Sequence, residues 1–417
     1  MKFGGTSVAD AERIKRAARR IVDRSNEGHH VVAVLSARGK TTDELIAMAD
    51  EVSQAPDPRE MDMLLSTGER ISCALAAMAI HDLGRHAISL TGSQAGIMTD
   101  ESHTKALIVD VRAERIKQAL EEDNIVLVAG FQGVSSTARN VTTLGRGGSD
   151  TSAVAVAAAL GAEVCEIYTD VRGVFTADPR IVPEARKLET VSFEEMLEMA
   201  ASGAGVLQLR SVEYARNHGV RIHCRSSFDD APGTFVVAEG ETMEQPLITA
   251  VTHSTSEARI TLVGVPDEPG AAARIFQALA GANVNVDMIV QNEPTSAGGL
   301  AEISFTIPRD DLRVARVALE PLTGDSYSEM NTHEVTGKVS IVGAGMRSHP
   351  GVAAKVFAVL AEEGVNIDMI ATSPIKISCV IDRDRVEHAV RVLHSAFELS
   401  GPGTVAEELP FDDGPMP

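Results

Sequence analysis

Two glycine-rich segments of this 417-residue sequence carry a cation that could bind an anion. Lys2 stands just before Gly4 and Gly5, and Arg146 lies among the glycines of residues 144–150 (LGRGGSD). Glycines let the backbone approach a ligand closely. The Lys2 segment lacks the spacing of a Walker P-loop. The pattern at Lys2 alone is more typical of a simple turn, whereas Arg146 has little packing role between glycines and favours a carboxylate or phosphate partner.

A helix is predicted to begin shortly after each of the two glycine-rich segments. A helix beginning near Ala9 would direct its N-terminus toward the Lys2 segment, where phosphate is favoured. After Arg146, either Ser149 or Asp150 could cap the next helix. The loop around Arg146 would then be only the flexible start of a capped helix, which remains the alternative there.

Three further segments carry polar side chains with weaker signals. Glu69 in STGER could hold a ligand ammonium group, although a first-turn glutamate more often compensates the helix dipole. In SARGKTTDE (36–44), the hydroxyls of Thr41 and Thr42 could contact a polar ligand or cap the next helix. In YTDVRGVFTADPR (168–180), Phe175 and Arg180 could flank a nucleotide, but this segment alone decides little.

Apolar runs and amphipathic segments alternate along the sequence, and they predict the strands and helices that position these residues. Apolar runs predict buried strands at residues 29–37, 85–92, 124–131, 162–170 and 220–227. Amphipathic segments predict helices at residues 9–25, 42–53, 66–83, 105–121, 149–160, 192–202 and 210–218. This alternation predicts an α/β domain with a mainly parallel sheet. Such sheets bind ligands where strands end and helices begin.

An internal repeat follows a segment rich in Gly, Pro and acids. PGAAARIFQALAGANVNVDMI starts at Pro269 and PGVAAKVFAVLAEEGVNIDMI starts at Pro350, an offset of 350 − 269 = 81 residues, with 12 of 21 positions identical. Strands are predicted before each copy, at 258–265 and 337–346. The repeat predicts two small α+β modules packed together. The tail, 401–417, is acidic and rich in Gly and Pro, and we expect it to be disordered.

Composition excludes several classes of partner. The formal net charge is −21, and aromatic residues are only 3%, with no Trp. General nucleic-acid or membrane-surface binding needs a positive field, so neither is expected. The four cysteines lie far apart without metal-ligand spacing, and they are typical of reduced thiols in a cytoplasmic protein. No dedicated protein site for a metal is expected.

The five segments together resemble the aspartate kinase family of the amino-acid kinase superfold. The resemblance covers essentially the whole chain. The matching motifs occur in the family's order: KFGGTS, TTDEL, MDMLLSTGERIS, TGSQAG, VAGFQGV, TTLGRGGSDT, EIYTDVRGVFTADPRIVP, SFEEMLEMA and RSS, followed by GAGMRSHPGV and NIDMI in the repeat. The repeat resembles the paired C-terminal ACT modules of that family.

The resemblance implies a fold and a set of domains. The fold is an α/β amino-acid kinase (carbamate kinase-like) αβα sandwich with a mainly parallel sheet, joined to two α+β ACT (ferredoxin-like) domains. The implied divisions are a catalytic domain at 1–228, a closing strand and linker at 229–250, ACT domains at 251–330 and 331–400, and the tail at 401–417.

The resemblance also implies an activity. Aspartate kinases transfer the γ-phosphoryl group of MgATP to the β-carboxylate of L-aspartate and form 4-phospho-L-aspartate, a first step toward lysine, threonine and methionine. An aspartate carboxylate, with a reference pKa of about 3.9, is already ionised at neutral pH and needs no general base. Catalysis then depends on positioning two anions and neutralising charge. Mg²⁺ would be held chiefly by phosphate oxygens and water.

By similarity, each matching residue receives an expected role. Lys2 and the amides of Gly4 and Gly5 would contact the phosphates, and Asp150 would orient the lysine. Arg146 would pair with the α-carboxylate of aspartate and Glu69 with its α-ammonium group. The remaining expected contacts are Ser36, Thr42 and Gly147 for the substrate, and Thr169, Asp170, Phe175, Asp178 and Arg180 for the nucleotide.

The ACT resemblance implies feedback control by end-product amino acids, usually lysine or threonine, with dimerisation alone as the alternative role. The expected effector-facing residues are Asp267, Pro269, Gly270, Asn283, Asn285, Gln291, Asn292 and Asn366. Pro374 stands where the family has a glutamate and removes a backbone donor, so effector choice or sensitivity is expected to differ. We expect a homo-oligomer, or a complex with a regulatory subunit.

Several positions depart from the family pattern. Gly205 replaces a lysine that family members direct at ATP, Arg172 stands where an aspartate is usual, and Arg38 and Lys40 replace a methionine and an aspartate. We hypothesise that Arg172 compensates for the missing lysine, and we expect weaker ATP binding than is usual. Because the sequence begins at Met1-Lys2 without the preceding strand, we expect Lys2 to be poorly positioned.

These departures leave two alternatives to an aspartate kinase. One is a degraded kinase domain that acts as an amino-acid-binding regulatory subunit, and the other is a kinase specialised for another small carboxylate. The presence of Lys2, Arg146, Asp150 and Glu69 argues against the first. Arg146, Glu69 and Thr42 together favour an α-amino acid substrate.

Overall fold

The computed structural model describes residues 1–239, 247–292 and 300–401. The chain divides into two compact units. Of the described residues, the N-terminal unit comprises 1–174, 187–200 and 205–239, and the C-terminal unit comprises 175–186, 201–204, 247–292 and 300–401. The predicted linker lies partly outside the described residues, and the predicted tail lies almost entirely outside them.

The strands of the N-terminal unit form two sheets. They are β1 (Lys2–Phe3), β2 (Val32–Leu35), β3 (Ala87–Leu90), β4 (Ile97–Thr99), β5 (Ile108–Val111), β6 (Ile125–Ala129), β7 (Gln132–Ser135), β8 (Val141–Thr143), β9 (Cys165–Thr169), β10 (Thr190–Ser192), β11 (Ile222–Ser226) and β12 (Thr234–Val237). Among the described residues, the larger sheet has the order β10-β12-β11-β9-β1-β2-β6-β3 and is parallel except between β11 and β12. The smaller sheet has the order β5-β4-β7-β8.

Helices alternate with these strands along the N-terminal unit, as predicted for the fold class. They are α1 (Ala11–Asn26), α2 (Thr41–Val52), α3 (Pro58–Leu65), α4 (Thr67–Asp82), α5 (Glu114–Glu121), α6 (Gly148–Leu160), α7 (Phe193–Ala201) and α8 (Leu209–His218). α1 and α4 share a core with β1, β2 and β6. The first ten residues of α6 are all buried, so this helix runs through the interior. The predicted α/β class with a mainly parallel sheet is confirmed.

One predicted helix is wrong in part. Residues 105–121 were expected to form one helix, but residues 108–111 form β5, and α5 begins only at Glu114. The β-branched Ile108, Val109 and Val111 favour a strand, and pairing with β4 outweighs the weak helical periodicity.

The C-terminal unit contains both repeat modules in one sheet. Its strands are β13 (Ala250–Pro266), β14 (Ile289–Asn292), β15 (Leu300–Pro308), β16 (Glu329–Val342), β17 (Met369–Ser373) and β18 (Lys376–Asp382), and its helices are α9 (Ala271–Gly281), α10 (Leu312–Leu319), α11 (Val352–Glu362) and α12 (Val386–Ala396). Among the described residues the sheet order is β14-β15-β13-β16-β18-β17. The predicted strand at 337–346 is too long, because the chain leaves the sheet after Val342 and residues 344–348 form a 3₁₀ turn.

Two long strands run through both modules. Residues 257–266 of β13 pair with β15 in the first module, whereas residues 250–254 pair with residues 338–342 of β16 in the second. Each module is therefore a four-stranded sheet with two helices, and the second takes its fourth strand from a segment that precedes the first. The divisions predicted at 250/251 and 330/331 stay predictions.

Among the described residues, one helical run is long and apolar enough to cross a membrane by length and composition. It is Pro58–Asp82, which comprises α3 and α4, and 50% of its most apolar window is buried inside the structure. A core helix passes the same test, so this run is weak evidence for a membrane span.

Candidate active site

The central position of β1 places Lys2 in the middle of the larger sheet. Lys2 pairs with Val34 of β2 on one side and with Ile167 of β9 on the other. Its Nζ lies 2.6 Å from Oδ1 of Asp150 on α6, and the two side chains are 11% and 9% exposed. The expectation of a poorly positioned lysine is therefore wrong, because two neighbouring strands and a buried carboxylate hold it.

The turn after β1 packs closely against the turn after β2. The N–H of Gly4 donates to the carbonyl of Tyr168 at 3.2 Å. A Cβ on Gly5 would lie 2.9 Å from the carbonyl oxygen of Ala37, a distance too short for any larger residue without a shift of the backbone. This close approach explains why position 5 is a glycine.

Helix α1 begins slightly later than expected, and a carboxylate caps its N-terminus. It begins at Ala11, and the carboxylate of Asp10 accepts a hydrogen bond from the N–H of Arg13 at 2.8 Å. This capping carboxylate places a negative charge at the helix N-terminus, which disfavours a second anion there. Anion binding near Lys2 would depend on the lysine and on the glycine turn.

The loop that carries Arg146 is shaped by two left-handed glycines. Gly145 and Gly147 have φ values of +78° and +68°, a region that favours glycine. A Cβ on Gly147 would lie 1.8 Å from Cγ of Gln208, so the loop also packs against that side chain. Arg146 is exposed between the two glycines.

The expected caps of α6 are wrong. Gly147 is its N-cap residue, and Ser149 and Asp150 lie inside the first turn. The left-handed glycine lets the helix begin without a side-chain cap. Asp150 is therefore available to the Lys2 ammonium group rather than being used for capping.

Glu69 is a buried carboxylate with an unpaired oxygen. It lies in the first turn of α4 and is 3% exposed. Oε1 accepts a hydrogen bond from the N–H of Ala37 at 3.2 Å, whereas Oε2 is buried without a protein partner. Burial raises the pKa of Glu69 to about 7. A cationic ligand group at Oε2 would satisfy both the charge and the hydrogen bond.

Ser36 directly precedes Ala37, whose N–H bonds Glu69, and Thr42 follows Ala37 by five residues. Ser36 follows β2, and its N–H donates to the carbonyl of Phe3 at 3.1 Å. Thr42 lies in the first turn of α2, whose N-cap is Lys40 without a side-chain cap bond, so Thr42 does not serve as the cap. Both residues are half-buried. Ala37, Ser36 and Glu69 therefore lie in one neighbourhood at the end of β2.

The end of β9 places two of the predicted nucleotide contacts in the N-terminal unit. Thr169 ends β9, and its hydroxyl donates to Oδ1 of Asp170 at 3.1 Å. Arg172 forms an ion pair with Asp229 at 2.7 Å. Its guanidinium thus already has a carboxylate partner, which gives no support to the hypothesis that it replaces the lysine missing at Gly205.

The other predicted nucleotide contacts belong to the C-terminal unit. Phe175 packs against that unit's core. The guanidinium of Arg180 donates to both oxygens of Asp178, at 2.6 to 3.2 Å. Burial opposes ionisation of Asp178, but the bonds from Arg180 outweigh it and lower the pKa of this carboxyl. A nucleotide-binding role for these residues stays a prediction.

The predicted effector-facing residues of the first module are all exposed. Asp267, Pro269 and Gly270 form the turn before α9, Asn283 and Asn285 follow that helix, and Gln291 and Asn292 end the edge strand β14. In the second module, the Asn366 side chain donates to Asp368 at 3.3 Å. Gly270 and Gly351, which are 81 residues apart, have φ values of +99° and +102°, so the repeat keeps the same left-handed turn.

Reciprocal ion pairs join the two modules. Lys338 of the second module is 2% exposed and pairs with Asp287 and, at 2.9 Å, with Glu257, both of the first module. Arg259 of the first module pairs with Asp368 of the second at 3.1 Å. Asp287 and Asp368 are equivalent in the repeat, since 368 − 287 = 81. Each aspartate therefore ties the turn of its own module to a strand of the other.

Sequence reasoning missed two residues that support the site. Asp62 on α3 is fully buried, and Gln208 covers Gly147. An aspartate within the apolar stretch MDMLL was the available signal for Asp62. The sequence carried no comparable signal for Gln208, because its role depends on how α8 packs. Among the described residues, no group of three or more His, Cys, Asp or Glu side chains could hold a metal ion.

Comparison with known proteins identifies the class that this fold and site define. The model of the amino acid kinase family matches residues 1–226, and an ACT domain model matches residues 260–321 and 339–397. The fold and site thus define an amino acid kinase followed by paired ACT domains. Aspartokinases of Mycolicibacterium smegmatis and Mycobacterium tuberculosis are 58% and 56% identical over 403 residues, with 96% of each chain covered.

Solved structures agree with this assignment. Escherichia coli aspartokinase III in complex with aspartate and ADP is 26% identical, has a TM-score of 0.81 and is matched over 95% of this chain and 98% of its own. The same enzyme in complex with lysine and aspartate has a TM-score of 0.73 at 27% identity, with the same coverage. The chain belongs to the aspartokinase family. The resemblance inferred from the sequence motifs is confirmed.

Proposed function

We propose that the protein is an aspartate kinase. The γ-phosphoryl group of ATP passes to the β-carboxylate of L-aspartate: an oxygen–phosphorus bond forms at the carboxylate, and the bond between the γ-phosphorus and the bridging oxygen breaks. The products are 4-phospho-L-aspartate and ADP. The attacking carboxylate is already ionised, so no proton has to be removed. The names of the relatives support this proposal, as does the aspartate and ADP complex of the Escherichia coli enzyme.

Glu69 is the observation that carries the proposal. It is a buried carboxylate with one oxygen lacking a protein partner, and the α-ammonium group of an amino acid supplies the missing charge and donor. Arg146 binds the α-carboxylate with its planar guanidinium. Ser36, Thr42 and the backbone of Gly147 line the pocket that binds the same amino acid.

The phosphates lie at the other end of the site. Lys2 neutralises charge on the transferring group, Asp150 orients Lys2, and the amides of Gly4 and Gly5 approach the phosphate oxygens. Thr169 and Asp170 contact the nucleotide. Phe175, Asp178 and Arg180, which belong to the C-terminal unit, are expected nucleotide contacts by family similarity alone. Mg²⁺ would be held chiefly by the phosphate oxygens of ATP and by water, and it would supply further charge neutralisation.

Trapping the acyl phosphate with hydroxylamine tests the activity directly. The full chain is incubated with ATP, Mg²⁺ and, in turn, aspartate, glutamate, asparagine, succinate and N-acetylaspartate. We expect hydroxamate from aspartate alone, and loss of this product in Lys2→Met. Hydroxamate from another acid would instead identify a specialised kinase, and none from any acid by folded protein would identify a regulatory subunit.

The regulatory-subunit alternative rested on the truncated first strand and on Gly205. Against the first of these, Lys2 lies on a central strand of the sheet with its Nζ 2.6 Å from Oδ1 of Asp150. Gly205 remains a genuine departure, and its consequence is weaker ATP binding rather than absence of activity.

The ACT modules give the kinase feedback control by lysine, threonine or both. The lysine complex of the Escherichia coli enzyme supports lysine. The effector contacts are Asp267, Pro269, Gly270, Asn283, Asn285, Gln291 and Asn292 in the first module and Asn366 in the second. We further propose that the protein works in the cytoplasm as a homo-oligomer or with a regulatory subunit. All four cysteines are buried free thiols, as suits a reducing compartment.

A further inference from the structure

Asp62 lies outside the residues assigned to the proposed site, yet it is fully buried on α3. Its carboxylate accepts hydrogen bonds from Nδ1 of His103 at 2.5 Å, from the hydroxyl of Thr143 at 2.5 Å and from the backbone N–H of Thr104 at 3.1 and 3.2 Å. A carboxylate can be buried only when donors satisfy it. Asp62 therefore holds three donors from two separate segments in fixed positions.

Those segments form the base of the loop that carries Arg146. Thr143 directly precedes the loop, and its carbonyl accepts a hydrogen bond from the N–H of Ala106 at 2.9 Å. Arg210 of α8 donates to the carbonyls of Ala106 and Leu144, at 3.0 and 2.8 Å. Asp62 and Arg210 thus clamp the same two segments through different atoms. Only the residues between Leu144 and α6 are left to adapt to a ligand.

The backbone conformation of Thr104 is independent evidence that the hydrogen bonds to Asp62 constrain this segment. Its φ is +64°, a left-handed conformation that is unfavourable for a β-branched residue. The N–H of Thr104 contacts both oxygens of Asp62 and so holds this conformation. Strain of this kind persists where surrounding contacts over-determine the backbone, and it clusters at functional sites.

We propose that Asp62 is a positioning residue that sets the spacing between Arg146 and Glu69. It reaches Arg146 through Thr143, three residues earlier in the chain, and it reaches Glu69 through α3, which leads directly into α4. The two ends of an α-amino acid are a fixed distance apart, so both partners must be held at a matching distance. This inference rests on the proposed roles of Arg146 and Glu69, and it concerns affinity for aspartate rather than for ATP.

Kinetics of the full-length Thr143→Val variant test this inference. Loss of a hydrogen bond to a buried carboxylate should raise the KM for aspartate about tenfold, while the KM for MgATP changes less than about twofold. The matched control is Thr142→Val. Thr142 is also fully buried, but its hydroxyl bonds Thr99 instead of Asp62. A second pair of variants keeps the test independent of folding: His103→Asn retains a donor to Asp62 and should behave like the wild type, whereas His103→Leu should raise the KM for aspartate.

Each outcome decides the inference. A selective rise in the KM for aspartate in Thr143→Val and His103→Leu, without it in Thr142→Val and His103→Asn, supports it. Equal effects in Thr143→Val and Thr142→Val, or a parallel rise in the KM for MgATP, would overturn it. If Arg146→Met and Glu69→Gln leave the KM for aspartate unchanged, the proposed substrate contacts themselves are wrong. If those two variants raise it but Thr143→Val does not, only the positioning role fails.

Discussion

The raised pKa of Glu69 predicts how aspartate use depends on pH. Glu69 can bind an ammonium group only when it is ionised, and burial raises the pKa of Glu69 to about 7. The pH dependence of kcat/KM reports ionisation in the free enzyme. We therefore expect kcat/KM for aspartate to fall as the pH is lowered through 7.

The size of the effect follows from the ionised fraction of Glu69. With a pKa of about 7, this fraction is about 0.9 at pH 8, 0.5 at pH 7 and 0.09 at pH 6. Between pH 8 and pH 6, kcat/KM for aspartate should thus fall about tenfold. Aspartate keeps its α-ammonium and both carboxylate charges over this range, so the substrate contributes little to the change.

The same pKa predicts a gain in stability when Glu69 is replaced. An acid with a folded-state pKa above its unfolded value destabilises the fold once it is ionised. This penalty is absent below the unfolded pKa of 4.5 and complete above about 7, where it reaches roughly 3 kcal/mol. In Glu69→Gln the ionisation penalty is absent, but the unpaired side-chain amide destabilises the fold by about 1 kcal/mol. The variant should therefore be about 2 kcal/mol more stable at pH 8, although it binds aspartate poorly.

Two measurements check this reasoning. Hydroxamate formation gives kcat/KM for aspartate from pH 6 to pH 8 in the wild type and in Glu69→Gln, and the melting temperature at pH 8 should rise by about 4–8 °C in the variant. MgATP kinetics over the same pH range serve as the control. A flat aspartate profile in the wild type, or an equally steep profile in Glu69→Gln, would refute the assignment of Glu69.

Three further perturbations have defined outcomes. In Gly205→Lys, where a Cβ meets open space, calorimetry should show MgATP binding about fivefold tighter; wild-type binding of ordinary family strength, unaffected by the substitution, would contradict this. In Lys338→Met, two partly buried carboxylates lose their cation, and urea unfolding of the C-terminal unit should show a loss of about 3 kcal/mol; an unchanged transition would contradict it. In Asp150→Asn, Lys2 loses its ionic partner and kcat should fall at least about tenfold, so a kcat within twofold of the wild type would exclude the orienting role.

The sequence predicted those parts of the fold that depend on local pattern. The apolar run at 124–131 became β6, and the amphipathic segment at 9–25 became α1, each within a few residues. β7 and β8 were missed because QGVS and VTT carry no apolar periodicity. They are strands only because they pair with each other and with β4. Pairing partners distant in the chain leave no local signal.

The candidate site divides in the same way. Lys2, Arg146 and Glu69 could be singled out because glycines or helix starts surround them in the sequence. The family resemblance implied that Asp150 faces Lys2, whereas the residue pattern alone equally allowed Asp150 to cap α6. The left-handed Gly147, which starts α6 without a side-chain cap, was not predicted. The contacts of Asp62 depend on three segments meeting in space. Motif spacing identified the ligand contacts, and packing determined what holds them.

The shared strand β13 cannot complete its pairing until late in the synthesis of the chain. Residues 250–254 pair with residues 338–342, so Ala250 leaves the ribosome 342 − 250 = 92 residues before its partner Val342. At about 5–20 residues per second this interval lasts roughly 5–18 s. During that time the first half of β13 is an unpaired strand edge, the kind of edge that recruits other chains. Ribosomes that stall within the second module would therefore leave nascent chains with this edge open, and these chains should depend most on chaperones.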